Sequence, residues 1–159
     1  MNRSSRDNVE LQTGLLCGEK AVEYEAQIER IERLAFPDPW SVRNIRETLE
    51  QNRYLNLGVW KEGILCGYLF FSYVLDEGEI VRIAVDPSVR RKGAATQLFQ
   101  ELRNCCMERQ ISKIMLDVRA DNISAISFYH AMEFEVDGCR KNFYTNPTED
   151  AILMSCRIG

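Results

Sequence analysis

A phosphate-binding segment is predicted near the middle of the chain. Its residues are Arg90, Arg91, Lys92, Gly93, Ala94, Ala95 and Thr96, and they separate a strand-like run from a helix-like run. The amino end of a helix offers unpaired N–H groups and the positive end of the helix dipole, and both attract phosphate. The glycine lets the backbone approach a ligand closely, and the three cations add charge where a diphosphate would sit. A solvated basic turn is the alternative, but the strand–turn–helix context favours the phosphate site.

Residues suited to proton transfer follow in a second segment. Asp117 lies in an apolar strand-like run, Asn122 comes directly after it, and Tyr129 lies in the next helix-like run. A carboxylate in a buried strand is unfavourable unless it is paired, solvated or used in a reaction. Strand alternation places Asp117 on the same face as Met115 and Arg119, so a salt bridge to Arg119 or another cation is its alternative role. Helix capping is the alternative for Asn122, and core packing is the alternative for Tyr129.

The elements that must position these residues follow from the spacing of apolar side chains. Before the phosphate-binding segment, we expect a short strand within 11–17, a helix over Glu19–Leu34, a helix from an N-cap at Ser41 to about Glu50, and strands over Tyr54–Trp60, Ile64–Leu75 and Glu79–Val85. Turns are predicted at Glu62-Gly63 and Glu77-Gly78. After the segment, we expect a helix, a strand over Ile111–Val118, a helix to about Glu133, and strands over Phe134–Tyr144 and Ala151–Ile158. The predicted class is α+β with a central strand–helix–strand unit.

Length and composition exclude several functions. A chain of 159 residues is the size of one domain, and we expect residues 1–10 to be a flexible N-terminus and 11–159 to form that domain. A net charge of −4 argues against a nucleic-acid binder, and no apolar run approaches the roughly 20 residues of a membrane span. Without a secretory signal, the expected location is cytoplasmic. Six cysteines and one histidine lack metal-site spacing, so we expect no metal and no catalytic thiol.

The phosphate-binding segment resembles a family hallmark. Arg90, Gly93 and Ala95 match the R/Q-x-x-G-x-G/A pattern of the GNAT superfamily of acetyltransferases. The run LDVRADNISAISFYHAMEF, residues 116–134, is similar to a stretch of RimI-like N-terminal acetyltransferases, which act on the N-terminal alanine of a small-subunit ribosomal protein. AFPDPWS, RYLN, IAVDP and RKNFY resemble further segments of that branch. The resemblance covers roughly residues 20–157.

The resemblance implies a single α+β GNAT domain whose mixed, mostly antiparallel central sheet is flanked by helices. Acetyl-CoA is then the co-substrate, and the segment from Arg90 to Thr96 binds its pyrophosphate. Backbone pairing with the pantetheine arm is implied for Ile83, Ala84 and Val85. Asn122 is implied to contact pantetheine as well.

The resemblance also implies the chemical roles. Asp117 accepts a proton and Tyr129 protonates the leaving thiolate, in a direct transfer within a ternary complex. The partner is then a protein N-terminus, that of a ribosomal protein, and its first residue is expected to contact Phe36, Phe143 and Tyr144. Plain packing is the alternative role for these three aromatic residues.

Two departures from the family pattern have consequences. Asp117 replaces the usual glutamate and is one methylene shorter, so a bridging water is expected to complete its reach. Glu133 replaces the usual glycine, so a different end of the helix is expected.

The acceptor amine must be neutral to attack a thioester. An α-amine with a pKa near 7.8 is roughly 14 % neutral at pH 7, against about 0.04 % for lysine, a difference of about 3.5 kcal/mol in the free energy of deprotonation. A single aspartate acting through water therefore suits an N-terminal amine better than a lysine.

Two other functions stay open at this point. One is an acetyltransferase for a small amine such as an antibiotic, a polyamine or an amino acid. The other is a non-catalytic acyl-CoA-binding module, which the aspartate at position 117 would allow.

Overall fold

A computed structural model describes residues 10–17, 19–90 and 93–159 of the protein. Nearly all of the predicted flexible N-terminus, residues 1–9, lies outside these ranges, as do Arg91 and Lys92. The strands are β1 (Leu11–Leu15), β2 (Tyr54–Lys61), β3 (Ile64–Val74), β4 (Glu77–Val85), β5 (Lys113–Arg119), β6 (Glu135–Tyr144) and β7 (Glu149–Arg157). The helices are α1 (Glu25–Ala35), α2 (Val42–Glu50), α3 (Ala94–Glu108) and α4 (Ile123–Ala131), with 3-10 turns at Glu19–Tyr24 and Pro87–Val89.

Hydrogen bonds connect the strands in the order β1-β2-β3-β4-β5-β7-β6. β1 is antiparallel to β2, and β7 is antiparallel to both β5 and β6. β4 and β5 are parallel and are joined by the α3 crossover, as in a strand–helix–strand unit. The predicted α+β class, with a mixed and mostly antiparallel sheet, is therefore confirmed. None of the described helices is long and apolar enough to cross a membrane.

The chain divides into two compact units. Unit 1 contains the described residues up to Phe70 together with Arg82–Leu102, and unit 2 contains Phe71–Val81 and Arg103–Gly159. In unit 1, the helical spacing of Ile28 and Ile31 on α1 buries both side chains completely. In unit 2, alternate residues of β5, from Ile114 to Val118, are buried against the core.

Local signals predicted several boundaries correctly and one incorrectly. Ser41 caps α2, because its Oγ accepts a hydrogen bond from the backbone N–H of Asn44 (3.2 Å). The predicted turn at Glu77-Gly78 is wrong: both residues belong to β4, and the chain turns at Leu75 and Asp76, where Leu75 has a φ of 56°. Gly78 instead serves close packing, since a Cβ there would overlap the ring of Phe71. The helix predicted from Glu19 begins as a 3-10 turn and becomes α-helical at Glu25.

Candidate active site

Gly93 shapes the predicted phosphate-binding segment in unit 1. Its φ of +83° lies in the left-handed region that favours glycine, and a Cβ placed there would meet no heavy atom of the described residues within 4 Å. Its carbonyl oxygen accepts the N–H of Gln97 (2.9 Å), which places Gly93 at the amino end of the 15-residue helix α3. Ala94 is buried, and Arg90 is exposed just before the segment. The glycine therefore leaves an exposed, open approach to the first N–H groups of α3.

Asp86 anchors the chain that leads into this segment, a role that sequence reasoning missed. Its Oδ1 accepts the backbone N–H of Ser88 and its Oδ2 accepts Arg30 Nη2 on α1, both at 2.9 Å. The hydrogen bonds from Ser88 and then the arginine hold the pKa of Asp86 below its ordinary value. The Asp-Pro pair after a strand is the signal that could have identified this cap.

The parallel ladder between β4 and β5 is short. Of the described residues of β4, Glu77, Gly78 and Glu79 form that ladder, opposite Lys113–Met115. Ile83, Ala84 and Val85, the predicted pantetheine-binding residues, belong to the later part of β4 and lie beyond it.

Asp117 is half-buried on β5, in unit 2. The alternating burial of this strand places it on the same face as Met115 and Arg119, as predicted. Among the residues that the structure describes, Asp117 forms no salt bridge. Arg119, its predicted alternative partner, donates instead to the carbonyl oxygens of Thr145 (3.2 Å) and Pro147 (3.1 Å). The carboxylate is therefore not neutralised by the neighbouring arginine.

Glu79 is a second carboxylate on this face, and sequence reasoning missed it. The parallel register pairs Glu79 with Met115, and paired residues of a ladder point to the same side of a sheet. Although Glu79 is exposed at the surface, partial desolvation of its carboxyl group raises its pKa, and the charge of Asp117 raises it further, whereas Arg140 lowers it. Alternation along β4 could have indicated its face, but the pairing with β5 has no local signal.

Asn122 and Glu133 define the two ends of α4. Asn122 Oδ1 accepts the N–H of Ala125 (3.2 Å), so Asn122 is the N-cap of the helix, and its contact with pantetheine stays a prediction. At the other end, Glu133 N donates to His130 O (3.0 Å) and Phe134 N donates to Tyr129 O (2.9 Å), the hydrogen bonds of a Schellman motif.

The expectation of a different helix end at Glu133 is wrong. Glu133 adopts a φ of +72°, the left-handed conformation that glycine favours. Arg103 donates to the carbonyl oxygen of Met132, and its guanidinium lies 3.8 Å from the Glu133 carboxylate. These contacts and the Schellman hydrogen bonds stabilise a glycine-type ending in spite of the side chain.

Tyr129 is buried on α4, with 8 % of its surface exposed. Its ring centroid lies 5.8 Å from those of Phe128 and Phe134, so it also packs as a core aromatic residue. Burial, with a smaller effect from Tyr144, raises the pKa of Tyr129 to about 12. At neutral pH the phenol therefore keeps its proton.

Phe143 and Tyr144 lie together at the end of β6. Their rings pack edge to face with centroids 5.0 Å apart, and Phe143 is 45 % exposed. The guanidinium of Arg119 lies 4.5 Å from the Tyr144 ring while it holds the carbonyl oxygens of the following loop. Arg119 thus fixes the loop that follows Tyr144.

Phe36 follows α1 in unit 1 and is half-buried. The guanidinium carbon of Arg82 lies 3.7 Å from the centroid of its ring. Arg82 is a further residue that sequence reasoning missed, because the strand pattern of β4 gives no indication of what this side chain contacts.

The predicted site residues divide between the two units. Unit 1 holds Phe36, the end of β4 from Ile83 to Val85, Arg90, and Gly93 to Thr96. Unit 2 holds Asp117, Asn122, Tyr129, Phe143 and Tyr144. Arg91 and Lys92 lie outside the described residues.

Comparisons with known proteins agree on one family. The model described as "Acetyltransferase (GNAT) family" matches residues 25–134. The "[Ribosomal protein bS18]-alanine N-acetyltransferase" of Escherichia coli K12 is 34% identical over 131 residues, which cover 81% of this chain and 88% of that enzyme. A Bacillus subtilis 168 protein named "Putative [ribosomal protein bS18]-alanine N-acetyltransferase" is 32% identical over 133 residues, 83% of this chain and 88% of its own. The crystal structure of the ribosomal-protein-S18-alanine N-acetyltransferase from Escherichia coli aligns with a TM-score of 0.84 and 30% identity, over 94% of this chain and 95% of that one.

Proposed function

The chain belongs to the GNAT family of acetyltransferases and is an acetyl-CoA-dependent N-acetyltransferase, and from this premise we propose that its acceptor is the N-terminal α-amine of a ribosomal protein. The observation that supports this acceptor is the 34% identity, along 88% of its length, to an enzyme named "[Ribosomal protein bS18]-alanine N-acetyltransferase". An N-terminal alanine of bS18 is the proposed substrate, and the cytoplasm, where ribosomal proteins are made, is the proposed location.

The residues around Gly93 fit a pyrophosphate. The left-handed glycine keeps a side chain away from the amino end of α3, where the first N–H groups of the helix and its dipole favour an anion. Arg90, with Arg91 and Lys92, would add the positive charge that a diphosphate requires. Beyond its short ladder with β5, β4 offers the backbone of Ile83–Val85 to an extended pantetheine arm, which would pair like an added strand.

Asp117 is the proposed proton acceptor. When bound, acetyl-CoA supplies the thioester that the neutral amine attacks, and the amine must lose one proton in the process. Asp117 takes that proton directly or through a water, and its lack of a counter-ion among the described residues leaves its oxygens available. Glu79 lies on the same face of the sheet, where partial desolvation and the charge of Asp117 raise the pKa of its carboxyl group.

Tyr129 is the proposed partner of the departing sulfur. Complete proton transfer from a phenol of pKa about 12 to a thiolate whose thiol has a pKa near 8.5 is uphill by roughly 5 kcal/mol. Tyr129 therefore stabilises the developing thiolate mainly as a hydrogen-bond donor from a buried position. The proton that the amine releases balances the one that the thiolate finally takes up.

The experiment that tests this function compares acceptors for the purified enzyme. We expect rapid acetylation of a peptide with the bS18 N-terminal sequence that begins with alanine, detected by CoA release and by mass spectrometry of the product. The same peptide with a blocked N-terminus but a free lysine should react poorly, as should polyamines and free amino acids. Gly93→Glu, which adds a side chain and a negative charge at the amino end of α3, is the inactive control. Faster reaction with a small amine than with the peptide would refute the proposed acceptor.

A further inference from the structure

Glu32 and Arg82 form a buried ion pair in unit 1 that the proposed chemistry does not use. Glu32, on the last turns of α1, has no exposed surface. Arg82 Nε donates to one carboxylate oxygen (3.0 Å) and Nη2 donates to the other (2.7 Å), so the pair is bidentate. Tyr68 Oη also donates to Glu32, and the backbone N–H of Trp40 adds a fourth donor (3.0 Å). A buried carboxylate with four donors is fixed in one orientation.

The same pair holds the 36–41 turn, the segment between α1 and α2. Trp40 N–H binds the Glu32 carboxylate, and the carbonyl oxygen of Asp38 accepts Arg82 Nη2 (3.2 Å). The flat guanidinium of Arg82 also covers the Phe36 ring at 3.7 Å and lies 5.3 Å from the Trp40 ring. Three residues of the turn are therefore fixed by two side chains that lie outside it.

The turn has little means of fixing itself. Pro37 and Pro39 have no backbone N–H, which removes two of its donors. The N–H of Phe36 closes the end of α1 by donating to the carbonyl oxygen of Glu32 (3.0 Å). The conformation of the turn consequently depends on the Glu32–Arg82 pair rather than on hydrogen bonds within the segment.

We propose that Arg82, oriented by Glu32, is a positioning residue that holds Phe36 in place and thereby sets which first residue of the acceptor the enzyme accepts. This inference rests on the proposed function and on the prediction, from the family resemblance, that Phe36 contacts the first residue of the acceptor. A lysine could keep the charge at position 82, but it could not provide both the two-pronged contact with Glu32 and the flat face over Phe36.

The test compares Arg82→Lys with a matched substitution in another arginine–glutamate pair that also involves α1. Arg46 Nε and Nη2 each donate to Glu25 at 2.9 Å, so Arg46→Lys breaks another bidentate arginine–glutamate pair of unit 1 and does not touch the 36–41 turn. We expect Arg82→Lys to raise the KM of the peptide acceptor on the order of tenfold. The kcat and the KM of acetyl-CoA should stay within about twofold, and the preference for the first residue should broaden. Arg46→Lys should leave the KM of the acceptor unchanged.

A direct readout of the turn comes from Trp40. The chain has two tryptophans, so Trp60→Phe isolates the fluorescence of Trp40. In that background, Arg82→Lys should red-shift the emission and increase quenching by acrylamide, whereas Arg46→Lys should change neither. Equal changes in the two variants would show a general loss of structure and would overturn the inference.

Phe36→Ala separates this inference from the proposed function. If Phe36→Ala raises the KM of the acceptor and Arg82→Lys does not, the positioning role is refuted and the acceptor pocket stands. If Phe36→Ala leaves the KM of the acceptor unchanged, the prediction that Phe36 contacts the acceptor fails together with the specificity claim, while the activity on the peptide can still stand. Should Arg82→Lys not fold, the double variant E32Q/R82M leaves no buried charge without a partner and should show the same rise in the KM of the acceptor.

Discussion

Glu32 in unit 1 and Asp117 in unit 2 show opposite uses of a carboxylate. Glu32 is completely buried and accepts four hydrogen bonds, two of them from Arg82. Asp117 is half-buried, and among the described residues it has no salt-bridge partner, although Arg119 lies on the same face of β5. A carboxylate whose oxygens are already occupied stabilises one conformation, whereas one whose oxygens are unoccupied can accept a proton. We therefore expect substitution of the first to affect stability and substitution of the second to affect turnover.

The largest expected effect is a loss of stability in Glu32→Gln. This change leaves the Arg82 guanidinium, whose side chain is 20% exposed, without its counter-ion, and the expected loss is about 3 kcal/mol in the free energy of unfolding. Urea denaturation measures it. Glu29→Gln is the matched control on the same helix, because it removes an exposed pair with Arg33 and should cost less than about 1 kcal/mol. Similar losses in the two variants would contradict a special role for Glu32.

Asp117→Asn should give the opposite pattern. We expect kcat/KM for the peptide to fall about 100-fold, which equals roughly 2.7 kcal/mol of transition-state stabilisation, while the urea midpoint stays within experimental error. The defect should shrink at pH 9, where an α-amine with a pKa near 7.8 is already mostly neutral. Asp121→Asn, an exposed aspartate just beyond β5, is the control and should be fully active. A defect of equal size at pH 7 and pH 9 would argue against proton acceptance by Asp117.

Features coded by a few neighbouring residues could be predicted from the sequence. The caps at Ser41 and Asn122 and the left-handed Gly93 depend on contacts within three or four positions, and each has a recognisable residue type. The alternation that places Asp117 on one face of β5 is equally local. The strand order of the sheet could be expected only from the family resemblance, since pairing joins distant segments.

What could not be predicted depends on long-range contacts. Arg82 lies 50 positions from Glu32, and nothing in either neighbourhood indicates the other. Glycine can mark a turn or a point of close packing within a strand, and the sequence does not distinguish the two. The ring of Phe71 covers Gly78, so the predicted turn at this position is wrong. Leu75, a residue with no turn preference, takes the left-handed position instead.

The smallest expected effects are changes of stability with pH, and these have opposite signs for carboxylates of the two units. In unit 1, hydrogen bonds from Arg46 lower the pKa of Glu25, and hydrogen bonds from Ser88, with Arg30, lower that of Asp86. Each of these carboxylates therefore contributes stability above its unfolded pKa, and that stability is lost as the pH falls through the folded value. Glu79 in unit 2 has the opposite sign, because burial and Asp117 raise its pKa above the ordinary 4.5. Its charged form destabilises the folded state at neutral pH, and this penalty disappears as the pH falls through the raised value towards 4.5.

Glu79→Gln should accordingly increase the free energy of unfolding slightly at pH 7, by less than about 0.5 kcal/mol because water still screens this exposed side chain. The gain should vanish below pH 4.5, the ordinary value for this carboxyl group. Glu25→Gln, the counterpart in unit 1, should lower the midpoint at pH 7, and this loss should also fade in acid. Urea denaturation of the parent protein and the two variants, from pH 7 to below pH 4.5, measures both effects. If both variants are less stable than the parent at pH 7, then Glu79, like Glu25, stabilises the fold. The opposite signs expected for carboxylates of the two units would then be refuted.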